Sequence, residues 1–157
     1  MRWQLLDKII DCEPGVRASG VKCFTRSEDF FRDHFPGMPI VPGVLQIEMI
    51  AQMAGKCMAM KNPAVLPVLG SVKSAKFYQN IKPGDQCIIS IEVKKISRAY
   101  GIASGIITVN DQKMAAAEIL FGLIDRKNLS SESFDEVSQE FLSRQQHVPT
   151  QSVESSL

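Results

Sequence analysis

One segment constrains the fold more than any other. From Val44 to about Met60 the chain carries strong helix formers, no proline, and Leu, Ile, Met and Ala on every side of the predicted axis. The exception is a narrow polar line, Glu48, Gln52 and Lys56, spaced i, i+4, i+8. A helix that is apolar around its circumference is stable only when enclosed, so the rest of the chain must wrap it. The wrapping material follows at once. Beyond Pro63, segments 67–78, 86–98, 101–109 and 113–125 have strand lengths and alternating or continuous apolar patterns. Pro83-Gly84-Asp85, Ala99-Tyr100-Gly101 and Asn110-Asp111-Gln112 punctuate them. Two further strand-like segments, 3–11 and 16–26, flank a turn at Glu13-Pro14-Gly15. The pattern predicts an α+β chain in which a curved antiparallel sheet encloses one long buried helix. The edges of such a sheet are adhesive, so a homodimer is expected.

A chain of 157 residues can bury a core as one domain, placed at 1–126. Residues 127–157 shift to Ser, Gln and Glu. They are expected to hold a short amphipathic helix, capped by Ser130 with Phe134, Val137, Phe141 and Leu142 on one face, and then disorder after Gln146. Eighteen basic against seventeen acidic residues leave a formal charge of +1, which excludes a global field for nucleic acid or membrane surfaces. Cys12, Cys23, Cys57 and Cys87 form no C-x-x-C pair. The N-terminus has no signal-peptide core, and no run approaches the roughly 18 apolar residues of a membrane span. A cytoplasmic protein with reduced thiols is expected.

The chemistry concentrates in residues 34–52. Pro36, Pro39 and Pro42 forbid regular helix and central strand, so residues 27–42 form a stiffened loop that carries His34 to the start of the helix. Taken singly, His34 reads as a loop histidine capping a carbonyl, and Glu48 as a structural glutamate bonded to Gln52 one turn below. Together with Gly43 they form a constellation: an imidazole base, a carboxyl group, and open backbone N–H groups at the positive end of a helix dipole. Abstraction of a proton next to a carbonyl needs those three parts. Pro36-x-x-Pro39-x-x-Pro42 also has the spacing of a polyproline ligand, but Ile40 and Val41 read as buried. His147 lies in the polar tail. No metal-ligand spacing and no glycine-rich phosphate loop is present, so no cofactor is expected.

This segment resembles the 3-hydroxyacyl-[acyl-carrier-protein] dehydratase family of bacterial fatty-acid synthesis, hot-dog-fold enzymes with the pattern H-F-P-G-x-P-x-x-P-G-V-L-x-x-E-x-x-A-Q. The matching residues are His34, Phe35, Pro36, Gly37, Pro39, Pro42, Gly43, Val44, Leu45, Glu48, Ala51 and Gln52. A weaker likeness runs over about residues 3–125 and includes Lys82-Pro83-Gly84-Asp85. The resemblance implies a hot-dog fold and a homodimer that can assemble as a trimer of dimers. It implies that His34 of one subunit works with Glu48 of the other. Glutamate at 48 points to the branch that dehydrates without isomerising. Two features depart from the family: the Pro-His-Arg-x-Pro-Phe-Leu lead-in is missing, and the chain continues past Lys127.

What the resemblance implies chemically is dehydration of a (3R)-3-hydroxyacyl thioester to the trans-2-enoyl thioester. Catalysis would rest on His34 and Glu48, with Gly43 polarising the carbonyl. Phe35, Val44, Ile47 and Gln52 would line the substrate site. The partner would be acyl carrier protein, acidic in this pathway, met by Lys73, Lys76, Lys82, Lys94, Lys95 and Arg98. Two rivals stand beside this reading, a hot-dog acyl thioesterase and a non-catalytic acyl-carrier-binding subunit.

Overall fold

A computed structural model of the chain describes residues 4–129. Strands β1 (Lys8–Glu13) and β2 (Arg17–Cys23) come first, followed by a 3-10 turn at Asp29–Phe31 and the helix α1 (Gly43–Lys61). Then come β3 (Val65–Phe77), β4 (Gln86–Ile96), β5 (Tyr100–Val109) and β6 (Gln112–Asp125), closed by a second 3-10 turn at Arg126–Asn128. The helix includes Gly43, one residue ahead of the apolar run, as expected of a helix that begins at Pro42-Gly43. Pro42, with φ −53° and ψ 139°, forms the cap and turns the chain into it at Gly43.

The six strands form one antiparallel sheet in the order β1-β2-β4-β5-β6-β3. The meander β4-β5-β6 is the one expected from the punctuation of the sequence. Asn110 and Asp111, with φ of 49° and 63°, make the tight two-residue connection from β5 to β6. The sheet curves around α1. This is the hot-dog architecture, and the α+β expectation holds.

The first two strands are shorter than their apolar patterns. Leu5 and Leu6 are buried core residues that lie before β1, and Phe24 is buried just after β2. Such plugs give the same apolar signal as a strand without joining the ladder.

Close approach of helix to sheet depends on the inward-facing positions of β5. A Cβ on Gly105 would lie 2.5 Å from Ile50 and 2.9 Å from Ile91, and one on Gly101 would lie 2.7 Å from the Met58 sulfur. Absence of side chains there lets α1 settle onto the sheet. Met49, Met53, Ala54 and Cys57 are fully enclosed as a result.

The polar line Glu48, Gln52, Lys56 is half-buried. A fourth polar residue departs from it: Gln46, only 4% exposed. Its Nε2 donates to the Val41 carbonyl at 3.0 Å. The described residues up to Arg126 form one compact unit. The Ser130 cap, the Phe134–Leu142 helix face and His147 lie outside the described residues.

Candidate active site

The loop between β2 and α1 is built on aromatic anchors. Phe24 and Phe31 are buried, and with Phe30 they form a cluster whose ring centroids lie 4.5–6.3 Å apart. Lys22, itself almost enclosed, reaches Asp7 at 3.0 Å and Glu28 at 3.8 Å, tying the loop's first turn to the chain ahead of β1. From this base the Phe30 carbonyl accepts the His34 N–H at 3.0 Å.

The next seven residues fold back on themselves. Phe35 and Met38 exchange two backbone hydrogen bonds of 2.9 Å around Pro36-Gly37, where Gly37 takes φ +78°. Proline followed by glycine at positive φ is the sequence of a type II turn. The Ile40 N–H then returns to the His34 carbonyl at 2.9 Å, and the Val41 N–H bonds Ile81 at 2.8 Å. The His34–Phe35 peptide is cis, and the two rings stack with centroids 4.0 Å apart. The imidazole is therefore half-buried against a phenyl face on a loop closed at both ends.

Where this loop ends, α1 begins without a side-chain cap. The first helical bonds are those of Leu45 and Gln46 to the Pro42 carbonyl, at 3.0 and 3.3 Å. The N–H groups of Gly43 and Val44 take no acceptor among the described residues. Those are the free donors and the positive dipole end that an oxyanion needs. Phe77, from the end of β3, lies over Gly43 so closely that a Cβ there would meet its ring at 2.9 Å. Any larger residue at this position would have to displace the Phe77 ring.

Glu48 stands in the second turn. Its Oε1 accepts from Gln52 Nε2 at 3.0 Å, and Gln52 Oε1 accepts the Leu5 N–H at 2.9 Å. The residues that precede β1 thus hold the glutamine that orients the carboxylate. Within one chain His34 and Glu48 make no hydrogen bond to each other.

The residues expected to line an apolar slot are only partly covered. Ile47 packs against the core, but Phe35 is exposed and Val44 is 70% exposed. Met38, Phe77 and Tyr78 are exposed alongside them. Among the basic residues, Lys73 pairs with Glu118 at 3.5 Å and Lys94 with Glu92 at 2.7 Å, and Lys95 lies over the Tyr100 ring. Lys76, Lys82 and Arg98 are exposed and make no ion pair among the described residues.

Sequence reasoning missed Gln46 and Phe77. Gln46 fastens the loop to the helix through Val41, while its Oε1 accepts no hydrogen bond. A glutamine in an apolar run carries no signal of where its amide will point. Phe77 looks like any strand phenylalanine, since its place over Gly43 depends on how far β3 runs along β6.

The fold is that of the hot-dog proteins. The family model for ApeI-like proteins, the ApeI dehydratase, matches residues 14–117. The 3-hydroxyacyl-[acyl-carrier-protein] dehydratase FabZ of Clostridium acetobutylicum is 43% identical over 122 residues, 76% of this chain and 86% of that one. Its namesake from Natranaerobius thermophilus is 37% identical over 125 residues, 78% and 87% of the two chains. Among solved structures, the dehydratase heterocomplex ApeI:P from Xenorhabdus doucetiae shares the fold, with a TM-score of 0.58 at 23% identity over 73% of this chain and 96% of that one. The chain belongs to the ApeI-like dehydratases and, with them, to the 3-hydroxyacyl-[acyl-carrier-protein] dehydratases, the hydro-lyases typified by FabZ.

Proposed function

We propose that this chain removes water from a (3R)-3-hydroxyacyl thioester carried on acyl carrier protein, giving the trans-2-enoyl thioester in fatty-acid synthesis or a related polyketide-like pathway. One observation carries the reading: a closed loop sets His34 just ahead of the uncapped start of α1, with Glu48 in that helix, in a chain 43% identical to such a dehydratase. His34 takes the proton from C2. The Gly43 N–H polarises the thioester carbonyl as negative charge builds on its oxygen. Glu48 assists departure of the C3 hydroxyl as water, directly or through a bridging water.

The working site needs two copies of the chain. His34 and Glu48 do not bond within one chain, so the proposal pairs His34 of one subunit with Glu48 of the other. Two observations favour a second copy. An acyl chain needs dry walls, and Phe35, Met38 and Val44 stand open. The 13-residue β3 is an edge strand bonded on one side only, with Val68, Leu69 and Val72 exposed along it. Association of such dimers into a trimer of dimers is the next step of the same proposal.

The acidic carrier would dock on Lys76 and Lys82. Lys76 adjoins Phe77, which covers Gly43, and Lys82 adjoins Ile81, which holds Val41. Rising salt should weaken this docking. No described helix is long and apolar enough to cross a membrane, and all four thiols are free, which suits a reducing cytoplasm.

The test compares wild type with His34→Ala on a 3-hydroxyacyl and a plain acyl carrier-protein thioester. Conjugated-enoyl absorbance from the first substrate, lost in the folded variant, supports the assignment. Dehydration that survives in His34→Ala overturns the role of His34. Hydrolysis of the plain thioester without enoyl product would make the protein a thioesterase, and inertness toward both would leave an acyl-carrier-binding subunit.

A further inference from the structure

Gln46 is enclosed in the first turns of α1, and half of its amide has no partner. Its Nε2 donates to the Val41 carbonyl at 3.0 Å, whereas Oε1 is buried without a hydrogen bond among the described residues. Reversing the amide would set two acceptor oxygens against each other, so its direction is chemically forced. A side chain only 4% exposed ordinarily satisfies both ends of its amide. Leucine or methionine would fill the same place and orphan nothing. The bond to Val41 is therefore what an amide adds here, kept at the cost of a desolvated oxygen.

That bond acts on the turn that aims the Gly43 N–H. Val41 is held at both backbone groups, its N–H on the Ile81 carbonyl at 2.8 Å and its carbonyl on Gln46. Ile81 is fully buried, and the residues after it are anchored in turn: the Lys82 N–H donates to the Asp85 carboxylate and the Gly84 N–H to the Phe24 carbonyl, both at 2.8 Å. A carbonyl fixed in direction fixes the plane of the Val41–Pro42 peptide. The proline ring then sets φ of Pro42, −53° here, and leaves ψ, 139°, as the one torsion between that plane and the Gly43 N–H. The Pro42 carbonyl, which turns with ψ, accepts the Leu45 and Gln46 N–H groups. Gln46 thus grips Pro42 from both sides, with its side chain on the carbonyl before it and its backbone N–H on the carbonyl of Pro42 itself.

We infer that Gln46 is a positioning residue for the dehydration, holding the Gly43 N–H on the line along which charge develops on the thioester oxygen. The inference rests on the function proposed above. Gln46 itself is enclosed by its own chain and acts through Val41 and Pro42. A hydrogen bond weakens steeply as its angle closes, so the direction of the donor decides how much transition-state charge it stabilises. An apolar residue at position 46 leaves that donor in place but frees the Val41–Pro42 peptide to rock. The neutral substrate depends on the angle far less than the charged transition state does.

The experiment compares the full wild-type chain with Gln46→Met and Gln46→Leu in dehydration kinetics, calorimetric melting and amide NMR spectra of isotopically labelled glycine. In both variants kcat should fall about tenfold, a part of the roughly 10²- to 10³-fold that loss of a whole oxyanion donor costs. KM should change by less than about twofold, since ground-state binding is spared. Melting temperatures should equal or exceed that of wild type, because the orphaned acceptor is gone. The Gly43 amide signal should move or broaden while those of Gly101 and Gly105 stay in place. Wild-type kcat in either folded variant overturns the proposal. So does lowered melting in both variants, or failure of both to fold, which would make Gln46 a packing residue. A wild-type chain that does not dehydrate 3-hydroxyacyl thioesters refutes the proposed reaction instead, and the Gly43 signal then decides alone whether Gln46 holds that amide.

Discussion

The two ends of α1 follow opposite rules. Toward Lys61 the helix is locked: Met53, Ala54 and Cys57 have no exposed surface, and Gly20 and Gly101 on the facing strands leave room for Met53 and Met58. Toward Gly43 it is open, with an uncapped first turn, an exposed Val44 and a half-buried carboxylate. A protein meant only to fold would cap that end and cover it. Unfilled donors and uncovered apolar surface kept at the end of an otherwise enclosed helix mark where something must bind. The buried half supplies the rigidity that holds the open half in place.

The comparison breaks most sharply at His34. Its replacement by alanine should lower dehydration kcat by roughly 10³-fold or more while the melting temperature stays near that of wild type, measured by enoyl absorbance and calorimetry. Comparable losses of activity and stability together would mean that the loop is structural after all. Glu48→Gln should come next, costing about 10²-fold in kcat, because the amide keeps the size but not the acid–base capacity. Its KM is expected to change less than its kcat.

On the buried face of α1 the readout reverses. Gly105→Val forces two methyl groups against Ile50 and Ile91 and should destabilise the fold by about 2 kcal/mol in chemical denaturation, with the residual folded protein still active. The smallest effect is expected at Val44→Ser, which should change the stability of the isolated chain by less than about 0.5 kcal/mol. Sedimentation of the same variant sharpens the contrast. Weakened self-association would place Val44 under a second copy, and an unchanged association constant would leave it facing substrate or solvent.

Much of this was legible because the signals were periodic or chemically forced. The all-round apolar run could only be an enclosed helix, and Pro-Gly and Asn-Asp fell at turns whose φ values those residues tolerate. His34, Gly43 and Glu48 stood out because a loop histidine, a glycine at a helix start and a carboxylate in an apolar helix each ask for a reason. Gln52 was expected on the polar line, but its bond to the Leu5 N–H was not, since nothing in residues 4–7 says that they will cross over α1. Cys57 on the Glu13 carbonyl and Cys12 on Met60, distant in sequence and without a motif, came together only when β1 lay against the end of the helix.

The sequence by itself determined which elements form and which residue types could do chemistry, since both follow from local propensity, periodicity and the steric demands of proline and glycine. Tertiary structure alone decided the contacts between residues far apart in the chain: Phe77 over Gly43, Leu5 on Gln52, Cys57 on Glu13. Such contacts depend on strand register and helix placement, which are set by the packing of the whole core at once and leave no mark on any single stretch of sequence.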